Sequence, residues 1–220
     1  MKGRMFKIGI LLVLAAVTAG VQAAFIVEAY SEGLASANFT YPGGSPSWST
    51  NLHDKAIGCI GSKSAFGGNA ATDTYIFSYT PGTDADNFSP AAGTDLGNNG
   101  ASGLAGGGSG LYNVYFTWPD TTNVSGGTTT VVFTSDSSVD PVYITQDVWN
   151  AGAAAAGANK WMLLGQVSLS AGTTYTVTMT PTSSTYVSMR AQGVMWEAVV
   201  PEPATMLLLG VGGLLLRRRR

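Results

Sequence analysis

Between residues 173 and 180 the chain reads TTYTVTMT, with Tyr175, Val177 and Met179 alternating against Thr174, Thr176, Thr178 and Thr180. Successive side chains of a strand point to opposite faces, so this period of two predicts a strand with an apolar face on a core and a threonine face toward water. Sheets covered on one side in this way are usually antiparallel. Similar short segments recur: Ala24 to Tyr30, Thr74 to Thr80, Leu111 to Trp118, Thr128 to Ser135, Val142 to Val148, Trp161 to Leu169 and Val187 to Val199. They are rich in Val, Thr, Tyr, Phe and Trp, which suit a pleated, half-buried surface. Pro81-Gly82, Pro119-Asp120 and Ser170-Ala171-Gly172 separate them as turns, and Gly193 predicts a bulge in the last one.

No long helical pattern competes. Ala151 to Ala158 is rich in alanine but broken by Gly152 and Gly157, so it reads as a loop. Residues 81–110 are dominated by Gly, Asn, Asp and Ser and read as one long irregular loop, a feature that in a compact domain is usually functional or mobile. Many short strands at close spacing predict an all-β antiparallel sandwich or barrel.

The two ends break this pattern. Basic residues from Met1 to Lys7 precede an apolar run from Ile8 to Val17, which is followed by small residues with Val21 and Ala23 at the positions a signal peptidase reads. The run is too short to span a bilayer, and the three parts together predict a signal peptide over 1–23, cleaved after Ala23. At the other end Pro201-Glu202-Pro203 is followed by an apolar stretch from Ala204 to Leu216 and then by Arg217, Arg218, Arg219 and Arg220. Thirteen residues of helix reach about 20 Å against a hydrocarbon core of about 30 Å, so the stretch predicts a short transmembrane helix that thins the bilayer. The arginines form a membrane stop on the cytoplasmic side. A single β-sandwich ectodomain over 24–200 is expected between the two ends.

Removing the ends changes the charge. Residues 24–200 hold twelve acidic side chains and only Lys55, Lys63, Lys160 and Arg190 as basic ones, a net charge of −8. Nucleic-acid binding needs clustered cations to neutralise phosphates, so that class of partner is set aside. Cys59 is alone, which excludes an intramolecular disulfide and a cysteine-based metal cluster. It reads as a small half-buried hydrophobe.

The ending resembles the PEP-CTERM sorting signal, carried by the Pro-Glu-Pro motif Pro201 to Pro203, the short apolar helix and the basic stop in that order. The resemblance implies recognition by an exosortase, a membrane-embedded transpeptidase-like cysteine enzyme. It also implies export, transient membrane anchoring, and a final place at the cell surface or in an extracellular biofilm matrix. Residues 112–199 resemble the domain at the C-terminus of golvesin and in the carbohydrate-binding part of xanthan lyase. That likeness rests on Tyr112-Asn113-Val114-Tyr115, Trp118-Pro119, Thr122-Asn123-Val124, Val142-Tyr143-Ile144 with Gln146, Trp161 to Gly165, Ala171-Gly172-Thr173 and Ala191 to Val194. It implies a galactose-binding-like jelly-roll sandwich with polysaccharide as a ligand class. Gln192 stands where that family has an acidic residue.

Catalytic signatures are absent from the sequence. His53 is the sole histidine and lies in a polar stretch, and there is no Gly-x-Ser-x-Gly, no P-loop and no HExxH. Carboxylate pairs of polysaccharide-active enzymes have no local signature, so that class stays open as an alternative. Asp84, Asp86 and Asp95 in the long loop are oxygen donors that suit calcium, though without an EF-hand spacing. Trp149, Tyr143 and Trp118 are candidates for stacking on a sugar ring, and Trp161 is expected in the core. The expected role is thus a non-catalytic exported protein that binds exopolysaccharide, or a purely structural matrix protein.

Overall fold

The computed structural model describes residues 24–42, 47–49, 55–61, 64–67, 74–88, 108–120, 128–133, 142–145, 159–181 and 189–199. The chain divides into two compact units, one of Gly20–Val200 and one of Met1–Ala19 with Pro201–Arg220, and all described residues lie in the first. Twelve strands occur among them: β1 Ala24–Glu28, β2 Phe39–Thr40, β3 Ser47–Ser49, β4 Ser64–Gly67, β5 Tyr75–Tyr79, β6 Gly110–Thr117, β7 Thr128–Phe133, β8 Val142–Thr145, β9 Met162–Leu169, β10 Tyr175–Pro181, β11 Met189–Ala191 and β12 Gly193–Ala198. The only helical element described is the 3₁₀ turn Ser36–Asn38.

The strands form three sheets in the orders β1-β12-β6-β9, β2-β5-β10-β7-β8 and β11-β4-β3, and every pairing is antiparallel. The first two supply the sandwich core. Phe25, Val27, Tyr112, Val114, Phe116, Val194 and Trp196 from the first sheet join Tyr75, Phe77, Tyr79, Val177 and Met179 from the second in one buried cluster. Phe25 stacks on Tyr79 at 4.9 Å, and Phe77 meets Phe116 edge-on at 6.4 Å. The predicted alternation in 173–180 is present, with Val177 and Met179 fully buried and Thr176 and Thr178 partly exposed.

The first sheet is covered on both faces. A second cluster lies on its outer side, made of Ala24, Ile26, Tyr115, Met195, Ala56, Cys59 and Trp161. This explains why β1 reads AFIV with no alternation, since a strand buried on both faces has no polar side to show. The segment 55–61 closes over that face, and the indole Nε1 of Trp161 donates to the carbonyl of Ile57 at 2.8 Å. Gly58, at φ +91°, lies where a Cβ would meet the Phe88 ring at 2.7 Å. The free edge of β1 is covered too. Ala24 bridges Phe88, and the Asn87 side chain exchanges two 2.8 Å hydrogen bonds with the backbone of Ile26.

One expected strand is two. Val187 to Val199 splits at Gln192, so that β11 joins β4 in one sheet and β12 joins β1 and β6 in another. Gly193 starts β12 and is not a bulge, because its pairing with both Glu28 and Thr117 runs on in register; a Cβ there would lie 3.0 Å from the carbonyl oxygen of Val27. The register shift in this sheet falls instead between Val114 and Tyr115 where β6 pairs with β9.

Candidate functional site

Two buried glutamates mark the outer face of the first sheet. Glu197 lies near the end of β12, and the backbone ladder aligns Ala24, Glu197, Asn113 and Gln166 in one row across all four strands. Gln166 Nε2 donates to Asn113 Oδ1 at 2.8 Å, Asn113 Nδ2 donates to Glu197 Oε2 at 3.4 Å, and the Tyr115 hydroxyl donates to the same oxygen at 3.1 Å. Glu197 Oε1 is buried and has no hydrogen-bond partner among the described residues. Burial pushes the Glu197 carboxyl above the usual carboxylate range, against the pull of the Asn113 and Tyr115 hydrogen bonds. Burial first, and the Glu197 charge second, push the Tyr115 phenol up. The row grades from buried Glu197 to exposed Gln166. Just beyond it Val199 N donates to the carbonyl of Leu111 at 2.7 Å, two residues before Pro201.

Glu28, at the far end of β1, ties loops to the sheet. Its Oε2 accepts from Leu34 N at 2.7 Å and its Oε1 from Gly61 N at 2.8 Å. The approach is tight: a Cβ on Gly33 would lie 2.6 Å from Glu28 Cβ, and one on Gly61 would lie 3.0 Å from Oε1. Burial chiefly, then the Glu28 charge, hold the Cys59 thiol well above its ordinary range, so this cysteine stays protonated and is a poor nucleophile. Gln192 is buried at the same pole, where its carbonyl accepts from Ala29 N at 2.8 Å and its Oε1 from Ala56 N at 3.4 Å.

Trp118 is not a stacking platform. It is 1% exposed and belongs to the sandwich core, packed 5.7 Å from Phe116. Period two explains this, since Trp118 continues the inward series Tyr112, Val114 and Phe116. Trp161 is in the outer-face cluster as expected, and Cys59 is more buried than the sequence suggested. Tyr143 lies on β8, an edge strand, opposite Thr130. Asp84 has a structural role: its Oδ2 accepts from Thr80 N at 2.6 Å and Asn38 Nδ2 at 3.1 Å, closing the turn after β5. Asp86 is in the same segment, and among the described residues no group of three or more His, Cys, Asp or Glu is placed to hold a metal. Trp149, Asp95, His53, Ala23, Pro201 to Pro203 and Arg217 to Arg220 lie outside the described residues.

Sequence reading missed Glu28, Glu197, Asn113 and Gln166 as a set. A signal was present for the two glutamates: each ends or interrupts an apolar run, AFIVE and VMWEAVV, where an acid is expensive unless paired. The partners carried none, because Gly61 and Tyr115 are remote in sequence from the acids they serve.

The chain matches the PEP-CTERM protein-sorting motif over residues 199–220. No curated protein matches it in sequence. Among solved structures, it is similar to a Paenibacillus xanthan lyase at 18% identity and a TM-score of 0.50, over 81% of this chain and 13% of that one. Weaker likenesses are to a Podospora anserina GH26-CBM35 β-(1,4)-mannanase (14% identity, TM-score 0.44, 82% and 29% covered) and to a family 35 carbohydrate binding module from Clostridium thermocellum (16%, 0.41, 79% and 98%). The chain therefore spans about an eighth of the xanthan lyase it resembles, and the likeness is one of fold. The class so defined is an antiparallel β-sandwich joined to a PEP-CTERM sorting motif. No described helix is long and apolar enough to cross a membrane.

Proposed function

We propose that this is an exported, non-catalytic surface or extracellular-matrix protein whose sandwich binds exopolysaccharide. Signal peptidase cuts after Ala23, an exosortase acts at Pro201-Glu202-Pro203, and the segment 201–220 parks the protein in the membrane until then. The observation that carries this reading is the sorting motif directly following a sandwich of the xanthan lyase fold.

The two buried carboxylates support a binding role over hydrolysis. Glu28 pairs with Gly193 and Glu197 with Ala24, so they lie four residues apart along paired strands, about 13 Å at the usual rise. Glycosidases need their two carboxyls about 5–9.5 Å apart across an accessible bond. Both glutamates are buried.

Trp149 and Tyr143 remain the stacking residues of this proposal. Affinity electrophoresis of the full chain in gels cast with bacterial exopolysaccharide tests it. Retardation that falls about tenfold in Trp149→Ala, with melting unchanged, is the expected result. Unretarded migration of the wild-type protein in every polysaccharide tried would favour a purely structural matrix role. Replacing Pro201, Glu202 and Pro203 by alanine should leave an unprocessed protein in the membrane fraction; unaltered processing would remove the exosortase from the scheme.

A further inference from the structure

We propose that Glu197 is the built-in counter-ion of the new amino terminus that signal cleavage creates at Ala24. The inference rests on the reading that cleavage falls after Ala23.

Ala24 is the first residue of β1 and is 2% exposed. Its backbone N–H donates to the carbonyl of Phe88 at 2.8 Å, and its carbonyl accepts from Phe88 N at 3.1 Å and Asn87 N at 3.0 Å. Both backbone groups thus face Phe88, away from β12. The Ala24–Glu197 pair is therefore of the type that exchanges no backbone bonds, in which facing side chains come closest, with Cβ atoms about 4.5–5.5 Å apart. Ala24 belongs to the outer-face cluster with Met195, two residues before Glu197, so both side chains of the pair stand on that face.

In the uncleaved chain Ala24 N is an amide with one hydrogen, already given to Phe88. Glu197 then keeps a buried oxygen that accepts from no described residue. Cleavage adds water across the Ala23–Ala24 bond: hydroxyl goes to the Ala23 carbonyl carbon, and the freed Ala24 nitrogen takes up protons to become an ammonium with three. One proton stays on Phe88, and two are left for other acceptors. Glu197 is the carboxylate opposite, with Oε2 held by Tyr115 and Asn113 and Oε1 open. A buried charge is tolerated only when paired. Processing would thereby give a buried orphan acceptor a cationic partner, in one ion pair between β1 and β12. That ion pair would form only in correctly processed molecules.

The test uses the full chain secreted and processed by its host, beside a form with one glycine inserted between Ala23 and Ala24, which moves the ammonium one residue out. Each is made with Glu197 and with Glu197→Gln, and mass spectrometry of the N-terminal peptide fixes the cleavage point. Glu197→Gln should lower the melting temperature by about 5 °C or more in the Ala24 form. In the glycine form it should have no effect or raise it. An equal effect in both forms overturns the pairing. If Glu197→Gln fails to accumulate, the α-amino group of the wild-type Ala24 form is titrated by its rate of labelling with an amine-reactive reagent. A pKa about one unit above the ordinary α-amino range of 7.7–8.0 supports the ion pair, and an ordinary value overturns it. A mature N-terminus other than Ala24 overturns it through the cleavage site and leaves polysaccharide binding untouched.

Discussion

Glu28 and Glu197 stand on the same face of the same sheet, at opposite ends of one strand pairing, and each is 1% exposed. The fold treats them differently. Glu28 receives backbone N–H groups from two loops, one on each oxygen. Glu197 receives side-chain donors from its own sheet, both on one oxygen, and the other has no donor among the described residues. A carboxylate saturated by backbone donors is an architectural joint, because moving it undoes the path of the chain. A carboxylate with an open oxygen still has capacity for a partner. Burial alone does not distinguish the two roles; the count and origin of the donors do.

Substitutions test that contrast most strongly at the saturated pole. Glu28→Ala orphans the amides of Leu34 and Gly61, each worth about 1–3 kcal/mol when buried, so a loss of about 3–5 kcal/mol is expected in thermal or urea unfolding of the full chain. A loss below about 1 kcal/mol would show that water replaces the carboxylate freely and that Glu28 is no joint. Gly33→Ala strikes the same joint from the loop side, since its Cβ meets Glu28 Cβ at 2.6 Å. It should cost about 1–3 kcal/mol, and an unchanged denaturation midpoint would mean that the loop shifts without penalty.

The pH response separates the poles further. The Cys59 thiol beside Glu28 has a folded-state pKa raised chiefly by burial, so the native state keeps its proton longer than the unfolded chain. The stability this contributes is complete below the unfolded thiol pKa of about 8.5 and is lost as pH rises above it, by up to about 1.4 kcal/mol per pH unit. Cys59→Ala should flatten the melting curve between about pH 8.5 and 10.5, and an unchanged alkaline slope would place the titration elsewhere. Glu197 is raised in the same sense while it lacks a cation, so uncleaved protein should lose stability as pH rises from about 4.3 toward its folded pKa. The last substitution, Trp161→Phe, acts on the loop that covers the outer face. It removes the five-membered half of a buried indole together with the donor to Ile57, which should cost about 2 kcal/mol and raise local amide exchange in 55–61.

Much of the sandwich was legible from local pattern. Tyr175 to Thr180 alternates in the sequence and in the structure, and the segments around Ala24, Tyr75, Leu111, Thr128, Val142 and Met162 each hold a strand. The short strands β2, β3 and β4 escaped notice, since two to four residues are too few to show a period. The stacking role assigned to Trp118 failed because an aromatic beside a Pro-Asp turn reads the same whether it faces the core or the solvent. Only the inward series from Tyr112 decides the question. The acids were visible as anomalies in apolar runs, but nothing near them in sequence named their partners.

From the order of its residues alone, this chain settles where its longer strands form, that the body is acidic, and that its C-terminal segment carries a sorting signal. Each of these depends on neighbours within a few positions. The tertiary structure decided which sheet each half of Val187 to Val199 joins, that the first sheet is buried on both faces, and that Glu28 is saturated while Glu197 is not. Those outcomes depend on contacts such as Trp161 to Ile57 and Tyr115 to Glu197, between residues 104 and 82 positions apart. Side-chain period carries no information about partners at such separations, which are chosen by the packing of the whole sandwich.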